Sequence, residues 1–341
     1  MAKASLRGVL LILYNRSPST VHAVPAMIAF NHARFVRNIA LVVALIGVLS
    51  ACQSNKGVHE EAVKTALMSD TGVAVYAAGD IADCRNRKPE DSGAAKTAAL
   101  IIPGLARDEH AAVLALGDNT YPVGLLSEFT NCYEPTWGQF KQRTFPAPGN
   151  HEYYTPNAVG YYSYFGAAAG PTRNGYYSTD IGSWHVISLN SYLKPEQHKA
   201  QMEWLKSDLE KNKARCTLAY WHHPLFSSGG HGNNAQMTEA WRMLQAAGAD
   251  LVLSAHDHDY ERFAPQDADG QQDDKRGMRE FVVGTGGAKL TPLRFRRFHS
   301  EVSDNSSHGV LKLVLKNQGY EWEFLPVDKD GFTDRGAALC H

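Results

Sequence analysis

Five short polar segments dominate this chain of 341 residues, each placed directly behind an apolar run or in the loop that such a run feeds. They are Gly79-Asp80, Gly117-Asp118-Asn119-Thr120-Tyr121, Gly149-Asn150-His151-Glu152, Trp221-His222-His223-Pro224 and Ala255-His256-Asp257-His258. A glycine followed by an acid is on its own an ordinary turn, and a lone His-x-His is two surface imidazoles. Five such segments in one chain, rich in Asp, Asn and His, are a pattern of metal-ligating and acid–base groups gathered at strand ends. The chain carries 15 histidines without a tag or a His-rich tract.

The runs around these segments set the fold class. Strands are expected over 73–78, 112–116, 176–180, 184–189, 217–221 and 251–254, with 176–180 and 184–189 forming a hairpin that turns at Gly182-Ser183. Helices are expected over 94–106, 195–209 and 236–246, the second with Pro195 in its first turn. The tail reads differently: strands over 279–283, 310–315 and 320–325 follow without helices between them, as an antiparallel set. The pattern is α/β-rich, a single domain over 72–341 whose functional loops follow strand ends. A content of 44% hydrophobic and 20% charged residues excludes collagen-like and disordered classes. The formal net charge of -1 gives no global footprint for nucleic acid, and none is expected as a partner.

Residues 1–51 read as a leader outside this domain. They hold Lys3, Arg7, Arg16, Arg34 and Arg37 but no acid, and they end in a short apolar run followed by Leu49-Ser50-Ala51-Cys52. That run is too short to span a bilayer comfortably and suits a signal peptide. The ending resembles a bacterial lipobox, which implies lipidation of Cys52. Met27 stands just before the basic flank, and a start there gives a signal of ordinary length. Residues 52–71 then form a polar tether, and the chain from Cys52 has 29 basic against 35 acidic residues, a net charge of -6. The expectation is an exported protein held by its N-terminal lipid in a bacterial cell envelope, on the periplasmic or surface side. Export permits disulfides. Cys84 with Cys132, both in loops behind neighbouring strand-end segments, and Cys216 with Cys340 are the expected pairs out of three possible pairings. No two of these cysteines have the close spacing of a zinc knuckle.

In order and content the five segments resemble the calcineurin-like metallophosphoesterase superfamily, whose motifs run GD, GDxxY, GNH(D/E), HxP and HxH. The resemblance spans Asp80 to His258 and fades after about residue 290. It implies a metallo-dependent phosphatase four-layer sandwich, two packed mixed β-sheets flanked by helices. It also implies two metal ions, one held by Asp80, Asp118, Tyr121 and His258, the other by Asp118, Asn150, His222 and His256, with Asp118 between them. The HxP register selects His222 over His223. An extended loop over 256–258 would point both of its imidazoles the same way.

Many members of the superfamily carry Asp-x-His at the first motif. Ala82 stands there instead, and together with Tyr121 it points to the purple acid phosphatase branch. A phenolate ligand favours Fe(III), with a divalent Fe, Zn or Mn as the second ion. His151, and His231 in the glycine-rich loop 227–232, are then the groups expected to face the phosphoryl group and serve catalysis. The implied reaction is hydrolysis of a small-molecule phosphate monoester by hydroxide made at the metals, of the acid phosphatase kind. The alternatives are a phosphodiesterase or nucleotidase on the same site, or a surface-binding lipoprotein without catalysis. The sequence leaves the oligomeric state open.

Two further stretches stand out. Arg294, Arg296 and Arg297 alternate with phenylalanines, either as an anion-attracting rim or as an ordinary basic loop. Gly284-Thr285-Gly286-Gly287 lacks the Lys-Ser/Thr ending of a nucleotide P-loop and reads as a tight turn near the metals. His110, His185, His198, His299 and His308 read as structural or surface residues.

Overall fold

The structure, a computed structural model, describes Val63, Thr65, Leu67 and residues 70–341, all within the compact unit Gly57–His341. The leader, Met27 and Cys52 lie outside the described residues. Among the described residues no helix is long and apolar enough to cross a membrane.

Two mixed sheets carry the fold. The first contains β1 (Val73–Ala78), β2 (Ala112–Leu116), β3 (Thr144–Ala147), β11 (Gly309–Lys316), β12 (Gly319–Pro326) and β13 (Arg335–Leu339), in the order β13-β12-β11-β1-β2-β3. The second contains β4 (Tyr177–Ile181), β5 (Trp184–Ser188), β6 (Cys216–Tyr220), β7 (Leu251–Ser254), β8 (Tyr260–Phe263), β9 (Arg279–Val283) and β10 (Ser300–Asp304), in the order β10-β8-β9-β7-β6-β5-β4. At the heart of each sheet the strands are parallel: β1, β2 and β3 in one, β5, β6, β7 and β9 in the other.

Alternation along the second sheet divides its side chains between two cores. Trp184, Val186, Leu218, Tyr220, Leu251 and Leu253 face the first sheet and join one cluster with Val75, Val113, Leu311 and Leu313. Ile187, Ala219, Trp221 and Val252 face the other way. There they meet Met202 and Leu205 of the helix Pro195–Lys211 and Trp241 and Leu244 of the helix Thr238–Ala246. Strands so placed are apolar on both faces, which is why they read as continuous hydrophobic runs. On the first sheet lies α1 (Gly93–Arg107), started by the Ser92 side chain, which accepts from the Ala95 N–H at 3.1 Å. The layers are therefore helix, sheet, sheet and helix, as the sequence implied.

The tail departs from its reading. Strands β11, β12 and β13 are antiparallel neighbours, but β9 leaves them, pairing parallel with β7 and antiparallel with β8. The absence of an intervening helix does not decide which sheet a strand joins. Residue 71 is also not where the packed chain starts. Val63 and Leu67 are helical and buried, and the Lys316 ammonium donates to the Leu67 carbonyl at 2.9 Å.

Both expected disulfides are present. Cys84–Cys132 ties the loop behind β1 to the segment after β2, and Cys216–Cys340 ties the C-terminus to the start of β6. They close loops with sequence separations of 48 and 124 residues. Chain-entropy arguments give each a contribution of about 2–5 kcal/mol, growing with loop length. Replacing each pair by alanines is expected to lower the unfolding free energy by that amount in urea titrations, with the Cys216–Cys340 pair costing more.

Candidate metal centre

The carboxyl ends of the parallel strands of both sheets converge. β1 delivers Asp80, β2 Asp118, β3 Asn150, β6 His222, and β7 His256 and His258. Such ends, where no further strand residue competes for space, are where open α/β sheets place their ligands. The two sheets are stitched together at this point, where the Gly79 N–H donates to the Val283 carbonyl and the Gly286 N–H to the Gly79 carbonyl, both at 2.9 Å; within the second sheet the Ala255 N–H donates to the His222 carbonyl at the same distance.

Past their last ladder bonds the β1 and β2 loops stay zipped. The Asp80, Ile81 and Ala82 N–H groups donate to the Gly117, Asp118 and Asn119 carbonyls, and the Tyr121 N–H donates back to Ala82. This brings the phenol to Asp80: the Tyr121 hydroxyl donates to Asp80 Oδ1 at 2.7 Å and lies 3.4 Å from Asp118 Oδ2 and 3.2 Å from His258 Nε2. Asp80, Asp118 and His256 have φ of 57°, 46° and 68°, a region that non-glycine residues rarely occupy and that concentrates at functional sites. Close approach explains two glycines. A Cβ on Gly149 would collide with the Asp118 carboxylate, and one on Gly284 with the Asp257 carbonyl and the Asp80 carboxylate. The stretch 284–287 is thus a tight passage at the site.

His222 is wholly buried, with Nδ1 donating to the Leu116 carbonyl at 2.9 Å and Nε2 3.2 Å from Asp118 Oδ2. His223 packs beside it, its ring 5.0 Å from that of His222 and 4.3 Å from that of His256, with Nδ1 bonded to the Ser191 hydroxyl at 2.8 Å. His258 donates through Nδ1 to the Lys289 carbonyl at 2.7 Å and holds Nε2 3.2 Å from Asp80 Oδ1. The His256 ring packs against His222 at 5.0 Å between centroids, and the His256 backbone N–H donates to Asp80 Oδ2 at 2.8 Å. The segment 256–258 is not extended. Asp257 and Asp259 each donate to the carbonyl two residues back, so the chain turns here and alternation does not apply.

Its turn leaves Asp257 buried beneath the 227–232 loop, where it accepts from the His231 N–H and Nδ1, the Ser227 hydroxyl and the Gly232 N–H. His231 is thereby fixed in direction although its side chain is 52% exposed, and its ring lies 4.3 Å from that of His256. The bond to Asp257 raises the His231 pKa. His151 donates its N–H to Asp118 Oδ1 at 2.8 Å, and its Nδ1 donates to the Pro122 carbonyl at 2.6 Å. Glu152, also buried, accepts from the backbone N–H groups of Asn119, Thr120 and Gly149 and locks the β2 and β3 loops together.

Asp257 and Glu152 had no assigned role in the sequence reading. For Glu152 the signal was its place three residues after Gly149, as in a capping box; for Asp257 there was none. The 294–297 loop lies against the His231 loop, Arg294 and Arg297 donating backbone N–H groups to the Ser228 carbonyl and hydroxyl. Phe295 and Phe298 are 77% and 89% exposed. His185 is held between Asp180 and Asp208 at 3.0 and 2.8 Å, far from this centre in the fold.

Do these residues fit metal ions? Asp80, Asp118 and His222 bring three ligand atoms within 4.8 Å of one another, as do His222, His223 and His256. Asn150 Oδ1 is buried without a hydrogen-bond partner, a costly state for a polar atom that a cation would relieve. The third grouping, Cys216, Asp250 and Cys340, has its sulfurs in a disulfide.

The chain matches the family model described as calcineurin-like phosphoesterase over residues 63–260. The chain belongs to the calcineurin-like phosphoesterase family. Within the family it is similar to purple acid phosphatase 21 of Arabidopsis thaliana, 28% identical over 250 residues that cover 62% of this chain and 57% of the relative. It is also similar to acid phosphatase type 7 of Homo sapiens, 29% identical over 240 residues, covering 56% of this chain and 53% of the relative. The chain thus spans little more than half the length of these relatives. In structure it resembles the yellow lupin purple acid phosphatase PPD1, with a TM-score of 0.62 and 19% identity over 78% of this chain and 53% of that one. The fold is shared too with GAP50, the anchor in the inner membrane complex of Plasmodium, with a TM-score of 0.61 and 17% identity over 80% and 90%.

Electrostatics add a testable consequence. Burial would lower the pKa of His222, but the charges of Asp118 and Asp80 outweigh it and push it up to about 9. His258 is likewise opposed by burial and raised by Asp80 to about 9. Both shifts favour the protonated rings, each of which lies beside a carboxylate. Metal uptake must displace these protons. Calorimetric titration of Zn²⁺ at pH 7 in buffers of different ionisation enthalpy should show release of about two protons, with affinity rising towards pH 9; no release would contradict this charge balance.

Proposed function

We propose that the protein is a dinuclear-metal phosphoesterase that hydrolyses small-molecule phosphate monoesters. The observation that carries this reading is the pair of buried carboxylates, Asp80 and Asp118, ringed by a phenol, imidazoles and an unpartnered amide oxygen. Asp80, Asp118, Tyr121 and His258 would hold one ion, and Asp118, Asn150, His222 and His256 the other. When bound, two such ions supply Lewis acidity towards phosphoryl oxygens and a hydroxide nucleophile at workable pH.

The remaining residues orient substrate and move protons. His151 is held by Asp118 and Pro122 beside the ligand Asn150, so its Nε2 can donate to a phosphoryl oxygen. His231 receives its direction from Asp257, whose carboxylate favours the protonated ring and makes it the better source of a proton for the leaving oxygen. Glu152 and the zipped β1 and β2 loops keep the carboxylates from moving apart.

Iron follows from Tyr121. Burial and the neighbouring Asp80 and Asp118 charges push its pKa well up. Only a cation of high charge density would draw off that proton, and this favours Fe(III) there, with divalent Fe, Zn or Mn as its companion. The two disulfides suit an oxidising compartment, in keeping with export and attachment to the cell envelope through lipidated Cys52.

The decisive variant is Asp118→Ala. Hydrolysis of p-nitrophenyl phosphate is expected to fall by about a thousandfold or more, read as kcat/KM on protein shown by circular dichroism to be folded. Activity at the wild-type rate would overturn the proposal.

A further inference from the structure

A cavity of about 340 Å³ adjoins the metal centre on its Asp80 side, lined by Asp83, Arg87, Lys289, Leu290, Ser306 and His308. Two of its walls are built by the same loops that position ligands. Asp83 follows Asp80 by three residues, and the carbonyl of Lys289 holds His258 Nδ1. Its size lies at the lower end of small-molecule sites and exceeds what a single phosphate needs.

The charge of this cavity is not balanced from within. The Asp83 carboxylate is taken by Arg85, through Nε at 2.9 Å and Nη2 at 2.7 Å. The Ser306 hydroxyl donates to Asp304 at 2.7 Å, and His308 Nε2 donates to the Ala288 carbonyl at 2.8 Å. Arg87 and Lys289 enter no ion pair among the described residues. Two uncompensated cations therefore face one concave space in a chain whose folded part is acidic overall.

The frame around them is fixed. Cys84–Cys132 closes the loop that carries Arg87, and the Arg87 N–H donates to the Cys84 carbonyl at 3.3 Å. Asn305 ties the far wall down by donating to the Thr291 carbonyl at 3.1 Å. Thr291 is bonded in turn to the backbone of His258, accepting its N–H and donating to its carbonyl. This frame fixes the backbone positions from which the two exposed side chains reach the cavity.

From this we infer that the cavity is a subsite for a second anionic group, and that the substrates are phosphoesters bearing another phosphate away from the scissile one. Arg87 and Lys289 bind that group, while the metal centre takes the first phosphate. The inference rests on the phosphoesterase reading for its first phosphate and on the cavity alone for its second.

The test compares wild type with the double variant Arg87→Ala, Lys289→Ala. KM is measured for fructose 1,6-bisphosphate and for p-nitrophenyl phosphate, which has no second anion. The ratio of the two KM values is expected to rise at least tenfold in the double variant, with each single variant between. A ratio unchanged within twofold overturns the inference, and so does a rise that the charge-removing control Lys88→Ala, at an exposed lysine outside the cavity lining, reproduces in full. Titration of butane-1,4-diphosphonate, whose carbon–phosphorus bonds are not hydrolysed, reads the subsite without turnover. Binding that weakens at least tenfold supports it, and binding unchanged within twofold overturns it. Wild-type protein that hydrolyses neither substrate yet binds the diphosphonate through Arg87 and Lys289 would instead count against the phosphoesterase reading alone.

Discussion

Asp80 and Asp118 repel each other in a place that water does not reach, and the junction of the two sheets is arranged around that repulsion. An uncompensated buried carboxylate is costly, and here there are two, at 0% and 1% exposure. The nearest relief comes from the His222 and His258 rings, each 3.2 Å from a carboxylate oxygen, and from the Tyr121 hydroxyl. Two cations would relieve it more completely and give Asn150 Oδ1 the partner it lacks.

Holding the carboxylates together takes mechanical support as well as charge. The β1 and β2 loops continue their pairing beyond the strands, Glu152 clamps three backbone N–H groups, and Gly149 and Gly284 let neighbouring chains pass where a side chain would collide. The left-handed backbone at Asp80, Asp118 and His256 persists because these contacts over-determine it. On the outer rim Asp257 does for His231 what the inner shell does for the ligands: it fixes the direction of an otherwise exposed ring. The same loops run on into the cationic cavity, so the shape of the metal centre and the cations around Arg87 and Lys289 share one scaffold.

Much of this was legible in the sequence for a simple reason. The central strands are buried on both faces and therefore read as unbroken apolar runs, and each polar segment behind them marks a strand end. Strands that owe their existence to pairing were not legible. β3 is four residues with a proline inside it, β10 reads Ser-Glu-Val-Ser-Asp, and β8 and β13 carry charged or small residues; none has an apolar signature of its own. The sheet that β9 joins is decided by long-range contacts that no local pattern records. His256 and His258 do reach the junction, but through a turn rather than an extended strand, and that turn is why the intervening Asp257 acquires a role. Cys84 and Cys132 were legible as partners because both lie in loops behind neighbouring strand-end segments, and Cys216 and Cys340 followed as the pair that remained.

The central claim is that the buried carboxylates at the sheet junction exist to hold a metal pair. Elemental analysis of purified protein, loaded with iron and zinc and freed of excess, tests it most directly. The account predicts about two metal ions per chain in the wild type and a clear loss in Asp118→Ala, whose side chain is the one proposed to serve both ions. Folded wild-type protein that retains less than about one ion per chain after loading would contradict it.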